Sequence, residues 1–185
     1  AIANPHDYRK EDIKGLCIRR FKKDVKNQVQ GAFKERRVSI EKCAASAREE
    51  YAFDIFTKMQ LKMDDNKTTI AGQLFKTSLE KAMFSSPAAC IKSIDERLKK
   101  LIKKYGPEGF EDIPKLKELK AALEEIKPPD FFRYQKLLAL LKSPEYGWNL
   151  EHSDDRIVIF TERIETMHFL VAQLRQDLNL NEEIV

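Results

Sequence analysis

Residues 86–107 read Ser86-Pro87-Ala88-Ala89-Cys90-Ile91-Lys92-Ser93-Ile94-Asp95-Glu96-Arg97-Leu98-Lys99-Lys100-Leu101-Ile102-Lys103-Lys104-Tyr105-Gly106-Pro107. A serine hydroxyl accepts from the free N–H groups of a first helical turn, and proline fits the next position because that N–H has no partner to lose. At the other end, glycine tolerates the backbone that closes a helix, and the following proline cannot extend it. Between these signals Ile91, Ile94, Leu98, Leu101, Ile102 and Tyr105 recur at spacings of three and four, the apolar stripe of an amphipathic helix. The opposite face is charged: Lys92, Asp95, Glu96, Arg97, Lys99, Lys100, Lys103 and Lys104. Such a stripe needs partner helices, and the flanking sequence supplies them.

Downstream, Ile113, Leu116, Leu119, Leu123 and Ile126 predict a helix ending before Pro128-Pro129. Phe131, Phe132, Leu137, Leu138, Leu140 and Leu141 predict another, ending at Ser143-Pro144. Upstream, Ile70, Leu74, Phe75, Leu79, Ala82 and Met83 mark one side of a helix from about Thr68 to Phe84. Ser46 and Glu49 form a capping box that opens a long helix reaching about Met63. Tyr51, Ile55 and Met59 fall four apart on it, with Ala52 and Phe56 beside them. Asp64-Asp65-Asn66-Lys67 either interrupts this pair of helices or lies within one continuous helix. A further helix is expected over about Lys10–Gln30, weakened at Gly15. No fixed period of 20–50 residues repeats, which excludes a solenoid.

Two stretches have a different texture. Arg37-Val38-Ser39-Ile40-Glu41 alternates polar and apolar residues and predicts a strand near 37–41. After a loop over Glu145–Asp155 containing Trp148, Ile157-Val158-Ile159-Phe160 predicts a strand buried on both faces, the kind found in parallel sheets. A helix follows with Ile164, Met167, Leu170, Val171, Leu174 and Leu178 on its apolar side, and His168 is placed there as a partly buried core residue. Asn179-Leu180-Asn181 predicts a turn, and Ile184-Val185 the start of a second strand. This is the opening of a βαβ unit. One strand and half a partner do not make a stable sheet, so the polypeptide is expected to be a piece of a larger protein.

The chain has 185 residues, 42% of them hydrophobic, enough for a sizeable core. No apolar run approaches the ~18 residues that span a bilayer. No secretory signal opens the sequence, and Cys17, Cys43 and Cys90 are odd in number and far apart, so reduced thiols and a cytoplasmic location are expected. Asn66-Lys67-Thr68 matches a glycosylation sequon but carries no weight without a secretory signal. His6, His152 and His168 share no ligand spacing with one another or with the cysteines, and no metal site is expected. Net charge is +4, unevenly spread. Residues 1–48 hold 13 Lys/Arg against 6 Asp/Glu, whereas residues 151–185 hold 3 against 8. A polyanion would therefore prefer the first part. Its densest cluster, Arg19-Arg20-Phe21-Lys22-Lys23, reads either as phosphate contact or as the solvated face of a helix. No phosphate-cradling glycine motif occurs, because the 6 glycines are isolated. Asp95-Glu96 superficially resembles a magnesium-binding pair, but its place in mid-helix favours a surface ion-pair lattice with i,i+4 partners Lys99 and Lys100. No nucleophile–base pair emerges, and the catalytic set is empty.

Two separated motifs point to one family. Leu16-Cys17-Ile18-Arg19-Arg20-Phe21-Lys22-Lys23-Asp24-Val25 resembles the Leu-x-x-Arg-Arg-x-Lys-x-Asp-Val block of SWI/SNF-type superfamily-two helicases, especially the bacterial HepA/RapA-like branch. That block lies near the end of the first RecA-like lobe. Arg156-Ile157-Val158-Ile159-Phe160-Thr161-Glu162-Arg163-Ile164-Glu165-Thr166-Met167 resembles helicase motif IV, which opens the second lobe. With the strand and helix after the first motif, the resemblance covers roughly a third of the chain. It implies a parent protein that hydrolyses ATP with magnesium and moves along duplex DNA. The glycine loop, the magnesium-binding Asp-Glu strand and the arginine-finger motif are all missing, so no cofactor is expected in this chain.

The fold expected is mainly α: a helical bundle between partial RecA-like α/β elements. Residues 1–45 would be the end of the first lobe, 46–150 a helical inter-lobe insertion and 151–185 the start of the second lobe. The resemblance implies nucleic-acid contact at Arg19, Arg20, Lys22, Lys23, Thr161 and Arg163, although Arg19 and Arg20 could equally hold the lobe together. The expected function is an inactive-alone segment of an ATP-dependent DNA helicase or translocase, bracing the motor lobes and touching duplex phosphates weakly and without sequence preference. The expected partners are DNA, the remaining lobes and, by strand exchange, a second copy. The alternative is a stand-alone helical protein–protein interaction module.

Overall fold

The computed structural model describes residues 38–62, 69–146, 148–149 and 156–180. The chain divides into two compact units, Ala1–Glu41 and Lys42–Val185. Of the first, only residues 38–41 are described; they are irregular and exposed, with Val38 71% and Ile40 85% accessible. The expected helix over Lys10–Gln30 lies outside the described residues.

The second unit is mainly helical. Its described helices are α1 (Ala47–Lys58), α2 (Thr69–Ser85), α3 (Pro87–Tyr105), α4 (Asp112–Glu124), α5 (Phe132–Lys142) and α6 (Ile164–Leu178). Short 3-10 turns at Pro128–Asp130 and Pro144–Tyr146 flank α5. The α3 helix is central, packing against α2, α4 and α6, while α1 lies on α4. The punctuation read from sequence is in place. Ser46 and Glu49 make the reciprocal capping box of α1. Ser86 caps α3 by accepting from Ala89 N–H at 3.1 Å, with Pro87 behind it. Gly106 closes α3 at φ 83°, a backbone conformation that a side chain would strain.

One core joins α1 to α4 through Phe56, Leu79, Ile94, Leu116, Leu119 and Leu123. A second joins α5 to α6 through Phe131, Tyr134, Leu141 and Leu174, with Ile126 packed against both cores. Phe169 sits edge-on to Phe131 and Tyr134, with ring centroids 5.6 and 5.4 Å away. The Tyr134 hydroxyl donates to Asp177. Burial, reinforced by that carboxylate, raises the Tyr134 pKa.

Several expectations are corrected. Residues 38–41 and 156–160 carry no β-ladder, and none exists among the described residues. Without a neighbouring strand, the apolar run is not buried: Val158 is 71% and Phe160 92% exposed. The α1 helix stops at Lys58, because Met59 turns extended at φ −69°, ψ 121°. Of the residues expected on its apolar side, Ala52, Phe56 and Met59 are buried and Ile55 packs partly against the core, but Tyr51 is 63% exposed. On α2, Leu74 faces outward, because the turn that matters to the core is Leu79, Ala82 and Met83. On α6, His168, Ile164 and Met167 are exposed, since only the Thr166–Leu174 side meets the bundle.

Candidate nucleic-acid interface

Of the residues expected to touch nucleic acid, Arg19, Arg20, Lys22 and Lys23 lie outside the described residues. Thr161 and Arg163 are described, and their geometry is inward-looking. Arg163 precedes α6 with extended backbone. Its guanidinium donates to the Ser78 carbonyl at 3.2 Å and reaches the Ser78 hydroxyl at 3.5 Å. Thr161 Oγ1 accepts from Arg163 N–H at 3.4 Å and donates to Arg163 O at the same distance, a local turn. A guanidinium that donates to a carbonyl in the middle of α2 anchors the segment and lends only its remaining donors to an anion.

Below this anchor is a hydroxyl cluster that no sequence motif announced. Thr166 Oγ1 lies 2.7 Å from both Ser85 and Ser86 hydroxyls, pinning α6 to the one-residue break between α2 and α3. Ser86 and Thr166 are buried, so each needs these partners. Next to the break, Cys90 is fully buried, and desolvation pushes its thiol up to about 12 despite the nearby positive charge of Arg163.

The exposed positive surface among the described residues is on α3. Lys92, Lys99, Lys100 and Lys103 face solvent. Lys92 pairs loosely with Glu96 at 3.8 Å. Asp95 reaches across to Lys120 at 2.6 Å rather than along the helix to Lys99. Asp95 and Glu96 do form ion pairs, but with Lys120 and Lys92 rather than with the expected Lys99 and Lys100. Diverting Asp95 to α4 leaves Lys99 without that neutralising carboxylate. Lys103 and Lys104 also complement the negative end of the helix. No group of three or more His, Cys, Asp or Glu that could hold a metal occurs among the described residues. No described helix is long and apolar enough to cross a membrane.

No family model, curated protein or solved structure matches this chain.

Proposed function

We propose that the chain is the helical inter-lobe part of an ATP-dependent DNA translocase of the SWI/SNF type, bracing the motor lobes and touching duplex phosphates. One observation carries the reading: a well-packed helical body with an apolar, strand-type segment left bare before its last described helix, and another before its first. Val38 and Ile40 lie before α1, and Val158 and Phe160 lie before α6, all more than two-thirds exposed. β-Branched and aromatic residues in such numbers are suited to a pleated, half-buried surface. The first RecA-like lobe would provide that surface for residues 37–41, and the second for residues 156–160. Motif IV would then be seated by Thr166 against the α2–α3 break and by Arg163 on Ser78 of α2, coupling the second lobe to the bundle. Nucleotide and magnesium belong, in this reading, to the rest of the parent protein.

Phosphate contact falls to the bare lysines of α3 together with the Arg19–Lys23 cluster. The test is fluorescence anisotropy with a labelled duplex of arbitrary sequence. The expected result is weak binding that falls steeply with salt and weakens by several-fold in a Lys99→Gln/Lys100→Gln/Lys103→Gln variant. Affinity indifferent to salt, or unchanged in that variant, refutes phosphate contact by α3. The alternative of a protein-interaction module is favoured by a separate feature, a groove along α1.

A further inference from the structure

A groove of about 510 Å³ runs along α1, closed behind by the end of α2, the start of α3 and the residues after α4. Its floor is apolar, with Met83, Phe84 and Ile126 opposite Phe53. Phe53 and Phe84 pair at 5.9 Å between ring centroids and are 38% and 54% exposed. The charged groups around it are unequal in availability. Glu49 engages one carboxylate oxygen, Oε2, with Ser46 N–H at 2.9 Å and Phe132 N–H at 3.2 Å. Arg133 donates to the Met83 carbonyl at 3.1 Å and to that of Phe84, with its guanidinium 5.3 Å from the Phe131 ring centroid. Burial lowers the Arg133 pKa, as expected of a cation held among carbonyls rather than offered to a ligand. Glu50 and Asp54 remain, four apart on one face of α1 and both exposed. Among the described residues, the ion pair there is Asp54 to Lys58, stretched to 3.9 Å.

We propose that this groove binds a basic amphipathic segment of a partner protein, with apolar side chains on the Phe53–Phe84 floor and a lysine or arginine on Glu50 and Asp54. The charge decides the occupant. An acidic rim over an aromatic floor attracts a cation by Coulomb force and by the faces of the rings, and it repels nucleic acid and acidic peptides. The α1 helix is 12 residues, about 18 Å, long enough to meet two or three turns of a helix laid along it. This goes beyond the DNA reading and uses none of its residues.

The probe is a fluorescein-labelled peptide with leucine at i, i+3, i+4 and i+7 and lysine elsewhere; its counterpart carries glutamate in place of lysine. Binding of the full chain is followed by anisotropy, and the contact surface by amide shift perturbation. The lysine peptide is expected to bind, to perturb Phe53 and Phe84, and to lose about tenfold in affinity to a Glu50→Gln/Asp54→Asn variant. The glutamate peptide is expected not to bind. Both carboxylates are exposed, so this variant keeps its fold, which circular dichroism verifies. A Phe84→Ala variant with unaltered circular dichroism is expected to lose a comparable factor. Equal binding of the two peptides, no change in the charge variant, or perturbation centred on residues 157–160 overturns the proposal. Duplex binding by the Glu50→Gln/Asp54→Asn variant stays at the unsubstituted level, so the groove and the DNA surface fail independently.

Discussion

Replacing Glu49 by alanine tests the joint between the start of α1 and the start of α5. Its carboxylate receives Ser46 N–H at 2.9 Å and Phe132 N–H at 3.2 Å, while Ser46 Oγ receives Glu49 N–H at 3.2 Å. One side chain therefore serves two helix N-termini, reaching a backbone N–H 83 residues away. Losing a capping interaction costs ~0.5–2 kcal/mol, and a hydrogen bond to a charged group is worth ~1.5–3 kcal/mol. The Phe132 N–H is at the surface, where water replaces its partner, so its share is small. The Ser46 N–H is part-buried and carries most of the loss. The sum is about 2 kcal/mol, or a fall of roughly 4–8 °C in Tm for a chain of this size. A Glu49→Gln variant keeps an acceptor but loses the charge, and should fall about half as far. Ser46→Ala should cost about 1 kcal/mol. Because the two residues cap each other, the double variant should be less damaging than the sum, by about 1 kcal/mol. Thermal unfolding followed by circular dichroism gives all four values. Strict additivity, or a Glu49→Ala variant within about 0.5 kcal/mol of the parent, refutes the reciprocal cap.

Asp112 is 1% exposed and accepts from Lys62 N–H at 2.7 Å. Desolvation raises its pKa above 3.8, so the folded state holds the proton more tightly than the unfolded state, and stability falls as pH rises through the interval above 3.8. Asp112→Asn keeps an acceptor for Lys62 and should flatten that part of the stability–pH curve; an unchanged slope in denaturant melts across that interval argues against it. Cys43 is exposed and Cys90 buried with a raised pKa. Iodoacetamide at neutral pH should therefore alkylate Cys43 well before Cys90, as read by peptide mass spectrometry, and equal rates would contradict the burial.

What could be read in the residues was local. Caps at Ser46 and Ser86 and the stop at Gly106 depend on backbone groups within a turn, so Ser-x-x-Glu, Ser-Pro and Gly-Pro announce them wherever the chain folds. Most of the α3 stripe was equally legible, because 19 helical residues repeat it over five turns, although Ile102 is exposed and Ala89 and Cys90 are buried beside it. In α1, with 12 residues, Tyr51 and Ala52 both border the apolar side, and only packing against α4 buries Ala52 and leaves Tyr51 exposed. The expected strands failed for a related reason: β-propensity describes a surface waiting for neighbours, and a ladder forms only where a second strand is present. Thr161 and Arg163 were chosen on a motif, whereas the bond to Ser78 O, 85 residues away, sets what Arg163 does in this body.

From its residues alone, then, the chain determined that it is mainly helical, where its clearest helix begins and ends, and which faces are apolar. Tertiary structure decided which carboxylate meets which cation, that Ala52 rather than Tyr51 of α1 is buried, and that an aromatic floor and an acidic rim meet in one groove. Periodicity and capping act within a few residues, whereas ion-pair choice, burial and concavity depend on segments that the sequence keeps tens of residues apart.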